Sequence, residues 1–544
     1  EDIEETLDRT YDPISPVLDE EGERVTVQVP FFDPPVYVAV WKVAVGRIPL
    51  YLLDTDVEAN QPWDRAIAHR LYASNPEQRL RQEIVLGMGG MRVLETLGIR
   101  PAAIHLNEGH PALAVLERIR ALVEDGAGFE AAARQVRQTS IFTTHTPVPA
   151  GTDVYPFQLM EKYFAPYCER LGLNRDDLYQ LGINPRDTGA GFNMTVFALR
   201  MARFSNAVSQ KHGQVARKMW AGLWPGQKEE EVPIAAITNG VHLTAWIDPV
   251  HLQPLLTRYL GLAWLIDQDR PGIWEVVDEI PDEDLWQLHH ELKVRLVSEI
   301  NERVRARWQK DKVAAGNVVA LGGLLDPEVL TVGFARRFTS YKRPDLILSD
   351  PERLKRLLTD PWHPVQVIFA GKAHPADVEG KRLIQKIFRL AQDPEFGGRI
   401  AFVENYDQQL AEYMVHGVDV WLNNPVPPQE ASGTSGMKAS INGVPNLSIL
   451  DGWWIEGYNG ENGWAFGGEE TEGDRTSADA QALYHLLEEE VIPLYYERSD
   501  HGIPCEFVQV MKGAIKSVAP RFGTRRMAKE YVSRFYIKSL GLDT

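Results

Sequence analysis

From residue 330 onward, short apolar runs alternate with amphipathic stretches. Residues 330–334, 365–370, 400–403, 418–422 and 446–450 are β-rich and mainly apolar. Between them, 351–358, 378–391 and 408–416 carry apolar residues at helical spacing. Runs with no polar face predict strands covered on both sides, hence a parallel sheet between helices. This is a doubly wound, Rossmann-like pattern. The first half repeats it less completely, with helices over 79–97 and 109–124 and strands over 103–106, 140–144 and 235–238. The opening segment reads differently. Runs 24–29, 36–45 and 50–53, broken by Pro34-Pro35 and Gly46, predict antiparallel strands. Pro281-Asp282-Glu283-Asp284 starts a long helix with acids in its first turn. Its stripe of Leu285, Leu288, Leu292, Leu296 and Ile300 predicts packing against a sheet. A loop at Gly316-Asn317 and Gly322-Gly323 precedes the second sheet, and the last helix, 525–540, crosses back to the first domain. The expected organisation is a partial Rossmann-like sugar-binding domain with its β segment over 1–240, a helical connection over 241–328, a second Rossmann-like domain over 329–524, and the returning helix over 525–544.

Composition narrows the class. The chain has 544 residues, 44% hydrophobic and 24% charged, an ordinary globular balance. Lys+Arg 57 against Asp+Glu 76 gives −19, which disfavours nucleic acid or an anionic membrane as partner. The two cysteines, Cys168 and Cys505, have no zinc-like spacing, and a reducing cytoplasm is expected. No metal site is expected. The chain opens on Glu1 rather than Met, so a processed piece or a fragment is expected.

The chemistry concentrates at predicted strand ends, where open α/β sheets bind ligands. Glu430-Ala431-Ser432-Gly433-Thr434-Ser435-Gly436-Met437-Lys438 follows one apolar run and leads into a helix read from Ala439. A Gly/Ser/Thr loop opening a helix suits an anion, and its lysine is a cation or, deprotonated, an amine nucleophile. Met437 before Lys438 excludes a P-loop. Arg336-Arg337-Phe338-Thr339-Ser340-Tyr341-Lys342-Arg343 puts four cations in an acidic protein directly after a strand, which favours phosphate over a solvated face. Asn107-Glu108-Gly109-His110, Thr143-Thr144-His145, Thr238-Asn239-Gly240 and Glu404-Asn405-Tyr406 end other strands. Asp54-Thr55-Asp56 and Gly87-Met88-Gly89-Gly90 imitate metal and dinucleotide motifs. The first lacks partner ligands, and the second lies inside a helix pattern and reads as close helix packing.

The 430–438 loop, continued through Asn442-Gly443 and Leu450-Asp451-Gly452, resembles the pyridoxal-phosphate lysine signature of the α-glucan (glycogen/maltodextrin) phosphorylases. Ser435-Gly436 and Gly452-Trp453-Trp454 are similar to the short bacterial and archaeal branch. The resemblance runs from about Pro16 to the C-terminus. It implies the GT-B fold, a pair of Rossmann-like doubly wound domains with the first incomplete. It implies reversible phosphorolysis of a terminal α-1,4-linked glucose of glycogen, starch or maltodextrin by inorganic phosphate, giving α-glucose 1-phosphate. It places pyridoxal 5′-phosphate on Lys438 as a Schiff base, its phosphate relaying a proton through the substrate phosphate, with Gly433, Thr434, Arg336, Tyr406 and Trp246 around the cofactor. Arg337 and Lys342 would bind substrate phosphate. Glu430, Ser432 and Gly433 would read the sugar's 3-hydroxyl, and Asn239 and His145 the 6-hydroxyl, with the His145 carbonyl beside the anomeric carbon. Glu108 and His110 are similar to an Asp-Thr-His element beside that pocket, with Glu and Gly109 in place of Asp and Thr. Members are often homo-oligomers.

The chain departs from the family in one respect. No S-G-G-L-G-like loop opens the first domain, so an N-terminal part is expected to be missing and the isolated chain to be poorly active or inactive. Two rival readings remain, a non-catalytic glucan-binding fragment and a retaining nucleotide-sugar glucosyltransferase such as a glycogen synthase.

Overall fold

The computed structural model describes residues 13–71, 73, 75–148, 151–467 and 474–542. The chain divides into two compact units. One holds Glu1–Val208, Gly213–Ala236 and Tyr531–Thr544, and the other Ser209–His212 and Ile237–Glu530.

The first unit has two four-stranded sheets. In the parallel one, the order is Ile234–Ala236, Phe204–Ala207, Ser140–Thr143, Ile104–Asn107. In the antiparallel one, Val36–Val45 pairs with Ile14–Pro16, Thr26–Val29 and Ile48–Asp54. The predicted 79–97 helix is observed as Pro76–Ile84 and Gly90–Thr96 joined by one wide turn, Val85–Gly89. A Cβ on Gly87 would lie 2.8 Å from the backbone nitrogen of Ala114, so the glycine allows two helices to touch. Asp54 accepts from the Trp41 indole at 2.9 Å and Asp56 from Arg65 at 2.6 Å, so both acids of the D-T-D triplet are engaged in the β segment.

The second unit is built on six parallel strands in the order Ile400–Val403, Val365–Ala370, Leu330–Ala335, Val420–Asn423, Asn446–Ile449, Gly463–Phe466. Leu330–Ala335 and Val365–Ala370 are buried at every position, as expected of strands covered on both faces. The chain builds outward from Leu330–Ala335 in one direction, then returns to its other side with Val420–Asn423. The sheet therefore has its switch point between the carboxyl ends of these two strands.

Several elements differ from the sequence reading. Phe204–Ala207 and Gly463–Phe466 are strands that polar or glycine content concealed. The helix expected from 109 begins at Ala114, after the loop that carries His110. Ala315–Ala320 is a short helix within the expected loop. The helix read from Ala439 begins at Thr434, which places Lys438 inside it. The long helix is Asp282–Asp311, and of its stripe only Leu288 is partly rather than fully buried.

That helix also carries a buried charge set. Lys293 Nζ donates to Asp419 at 2.5 Å, to the Val329 carbonyl at 2.6 Å and to the Tyr495 hydroxyl at 3.0 Å. His289 Nε2 lies 2.9 Å from Asp419, whose second oxygen accepts from the Thr331 backbone. Burial pushes the Asp419 carboxyl up, but Lys293 and His289 outweigh it and hold it below the usual range. Its pairing therefore stabilises the fold in full above about pH 4, and that contribution is lost as pH falls through the lowered value. Asp419→Ala strands a buried ammonium and is expected to destabilise the second unit by about 3–5 kcal/mol. Glu328→Ala, which removes the exposed partner of His290, is expected to change stability by less than about 1 kcal/mol. Calorimetric unfolding of both variants checks this, and equal effects would contradict it.

Candidate functional site

The switch point is bridged by charge. Arg336, the first residue after Leu330–Ala335, donates through Nη1 to Asn423 Oδ1, at the end of the returning strand. Its Nη2 donates to Glu430 Oε2 at 2.8 Å. Lys342 Nζ donates to both oxygens of Glu430, at 2.9 and 2.6 Å. All three side chains are buried. Burial pushes the Glu430 carboxyl up, and Arg336 and Lys342 outweigh it and hold it low. Burial, reinforced by Arg336, brings Lys342 down to about 7. Arg337 is exposed and has no hydrogen-bond or ion-pair partner among the described residues. Arg336 Nε and Ser432 Oγ are buried without a partner.

The loop holding Glu430 is pinned from beneath. Asp451 accepts from the backbone N–H of Glu430 at 2.9 Å and of Gly452 at 2.8 Å, and burial raises its carboxyl to about 7. Trp453 N–H donates to the Ser432 carbonyl at 2.8 Å, and Ser209 Oγ to the Ala431 carbonyl at 2.7 Å. Gly433 turns the chain with φ 96°, and Thr434 opens the helix Thr434–Ser440. Gly436 is fixed by space, since a Cβ there would sit 2.3 Å from Asn446 Oδ1.

Lys438 is partly buried, with Nζ 3.5 Å from the centroid of the Trp246 ring and no hydrogen-bond acceptor among the described residues. Burial lowers its amine to about 8. Asn442 ties the two residues together by donating to the Lys438 carbonyl at 2.8 Å and the Trp246 carbonyl at 2.7 Å. Tyr406 packs on the same apolar cluster as Trp246, and burial raises its hydroxyl to about 12. Asn239 is held through its carbonyl by Arg526 at 3.1 Å, and the structure gives its side chain no bond to this cluster.

In the first unit, His145 and Glu108 meet. Glu108 Oε2 accepts from the His145 backbone N–H at 2.6 Å and the Thr146 hydroxyl at 3.0 Å. His145 Nε2 lies 2.7 Å from Asn107 Oδ1. Burial, then His110, depresses the His145 imidazole to about 4, so it is neutral. His110 sits instead in a charged knot, 2.6 Å from Arg79, 3.1 Å from Asp153 and 3.3 Å from Glu83. Burial opposes its charge, but the bonds to Asp153 and Glu83 outweigh this and lift it to about 9. Gly109 has Met194 Cβ 3.1 Å from where its own Cβ would stand, so a threonine there would require Met194 to shift. Sequence reasoning did not assign Asn423, Asp451, Asn442, Asn107 or the Arg79–Glu83–Asp153 set. Asp451 and Asn442, inside the quoted motif, and Asn107, at a predicted strand end, carried a signal.

The residues fit a phosphorylated aldehyde. An amine near pH 8 without an acceptor can take a carbonyl, the free N–H groups at the start of its helix suit phosphate, and Arg336 and Arg337 retain unpaired donors.

Two α/β units, each on a parallel sheet, put the chain in the GT-B class of glycosyltransferases. Residues 93–491 match the family described as carbohydrate phosphorylase. The chain is 52% identical to a glycogen phosphorylase of Aquifex aeolicus, over 99% of this chain and 78% of that relative. It is 48% identical to a maltodextrin phosphorylase of Thermococcus litoralis, over 97% of this chain and 62% of the relative. With a glycogen phosphorylase of Mycobacterium bovis the figures are 41%, 98% and 63%. The chain thus spans less than two thirds of the last two. It belongs to the carbohydrate phosphorylase family.

The lowered Lys438 amine has a direct readout. In competitive reductive methylation with formaldehyde, followed by peptide mass spectrometry, Lys438 reactivity is expected to rise with a midpoint near pH 8. Exposed lysines rise toward about 10.4. A Lys438 midpoint above pH 10 would contradict the geometry.

Proposed function

We propose that this chain catalyses reversible phosphorolysis of terminal α-1,4-linked glucose in glycogen, starch or maltodextrin, with pyridoxal 5′-phosphate carried by the Lys438 amine. The observation that carries the proposal is that one unit holds both a lysine near pH 8 on the Trp246 ring and, at its sheet's switch point, the Arg336–Lys342–Glu430 cluster. When bound, the cofactor supplies a phosphate whose second ionisation lies near neutrality, suited to proton transfer.

The chain's own groups divide the remaining work. Gly433 and Thr434 direct backbone N–H groups to the cofactor phosphate, with Arg336 as its cation. Arg337, exposed and unpaired, takes substrate phosphate with its planar fork, and Lys342 supports it as a point charge. Glu430 is the counter-charge that permits two buried cations. Its carboxylate has lone pairs left over from Arg336 and Lys342 to accept a sugar hydroxyl. Ser432 Oγ, buried and unpaired, is a second sugar contact, and Asn239 a third. His145, neutral, reads the 6-hydroxyl, and its carbonyl supports positive charge developing at the anomeric carbon. Glu108 serves the sugar contact through its bonds to the His145 loop, and His110 is the third residue assigned to this side of the sugar site.

The proposal includes a cytoplasmic homo-oligomer without nucleic-acid or membrane partners. No described helix is long and apolar enough to cross a membrane. Exposed Val45, Ile48 and Leu50 on the β hairpin offer apolar surface for self-association.

Assay of maltodextrin with inorganic phosphate and added cofactor tests the reaction. Glucose 1-phosphate is expected to form only when phosphate is present, and slowly from the chain alone. Arg337→Ala is expected to cut kcat/KM by about 10²–10³, with cofactor still bound. Hydrolysis to free glucose, or transfer from a nucleotide sugar, would contradict the proposal.

A further inference from the structure

We propose that Asn107 and Glu108 form a two-point clamp that sets both the backbone and the ring of His145, making them positioning residues for its sugar contact. The inference deepens the phosphorolysis reading and rests on it for the identity of the ligand.

Strands Ile104–Asn107 and Ser140–Thr143 run parallel, with Asn107 level with Thr143, so the loops that follow leave the sheet side by side. Glu108 N–H donates to the Thr143 carbonyl at 2.8 Å. Glu108 then adopts φ 67°, a left-handed conformation uncommon outside glycine. The turn leaves its carboxylate bonded to three successive residues of the neighbouring loop. These are the Thr144 hydroxyl at 3.4 Å, the His145 N–H at 2.6 Å and the Thr146 hydroxyl at 3.0 Å. The N–H bond holds the Thr144–His145 peptide and the Thr146 bond the residue beyond, so the His145 carbonyl is set from both sides.

Asn107 fixes the ring. Its Oδ1 lies 2.7 Å from His145 Nε2, and an amide oxygen only accepts, so Nε2 carries the proton. The other nitrogen of the neutral ring, Nδ1, is then an acceptor, and no described group bonds to it. An acceptor nitrogen takes a hydroxyl donor and gains nothing from a sugar that lacks one. Asn107 thereby acts on specificity at the sugar's hydroxymethyl group without touching the sugar.

Two measurements on the full chain test this. The first is ¹⁵N NMR of histidine-labelled protein, with His145 assigned by His145→Ala. His145 is expected to be neutral and protonated at Nε2, and Asn107→Leu to return it to a tautomer mixture. The second is glucan elongation from α-glucose 1-phosphate and from α-xylose 1-phosphate, which lacks the hydroxymethyl group. Asn107→Leu is expected to lower kcat/KM about tenfold for the first and less than about twofold for the second. Added to His145→Ala, it is expected to cost nothing further, because it acts through that ring. Glu108→Ala is expected to lower activity on both sugars, with Glu108→Gln recovering most of it through its one accepting oxygen. Equal Asn107→Leu losses on both sugars, additive losses with His145→Ala, or an unchanged tautomer would overturn the clamp. If the wild type uses neither sugar phosphate, the phosphorolysis reading fails, and the NMR still decides the clamp.

Discussion

A fully buried carboxylate has to be paired, and the pairing of Glu430 organises the second unit's polar centre. Its two oxygens take Lys342 and Arg336, and Arg336 also reaches Asn423 on the opposite side of the switch point. Removing Glu430 would leave two buried cations without their counter-charge in a poorly solvating interior. The surrounding sequence follows from this constraint. Asp451 holds the Glu430 backbone, and a Cβ on Gly452 would lie 2.4 Å from the Ser432 carbonyl, so only glycine lets the two loops meet there. The nine-residue loop is thus held at its acid end before its lysine end is considered.

Two lysines near this centre have lowered basicity for related but distinct reasons. Lys342 is brought to about 7 by burial together with the Arg336 charge, and it keeps a carboxylate partner. Lys438 is brought to about 8 by burial, against the opposing charge of Glu412, and it stands over an indole face with no hydrogen-bond acceptor among the described residues. The first arrangement suits a cation that answers an incoming anion. The second suits an amine free to form a bond. In the first unit, His145 is kept neutral in a loop whose donors and acceptors are nearly all assigned, which makes its remaining ring nitrogen specific.

Much of this was legible in the sequence where a residue's chemistry and its place coincided. The five apolar runs from 330 onward appear as parallel strands because continuous burial leaves no polar face to confuse the period. Phe204–Ala207 was not legible. Its Ser205 and Asn206 are polar, and Asn206 is buried only because Thr143 and Tyr531 satisfy its amide. The helix of Lys438 was read five residues late because Gly433 and Gly436 resemble a loop, while one supplies a positive φ and the other a close approach to Asn446. The site residues themselves were placed through resemblance to a family motif. What resemblance could not supply was the supporting set, since Asn423, Asn107 and the Arg79–Glu83–Asp153 knot are ordinary polar residues until the fold brings them together.

The proposed role of Lys438 is that of an amine that takes a phosphorylated aldehyde, in the unit whose switch point is lined with cations. Borohydride reduction of protein incubated with pyridoxal phosphate, followed by peptide mapping, tests it most directly. A single phosphopyridoxyl group on Lys438 is expected, lost in Lys438→Ala. Modification spread over surface lysines, or none at Lys438, would contradict it.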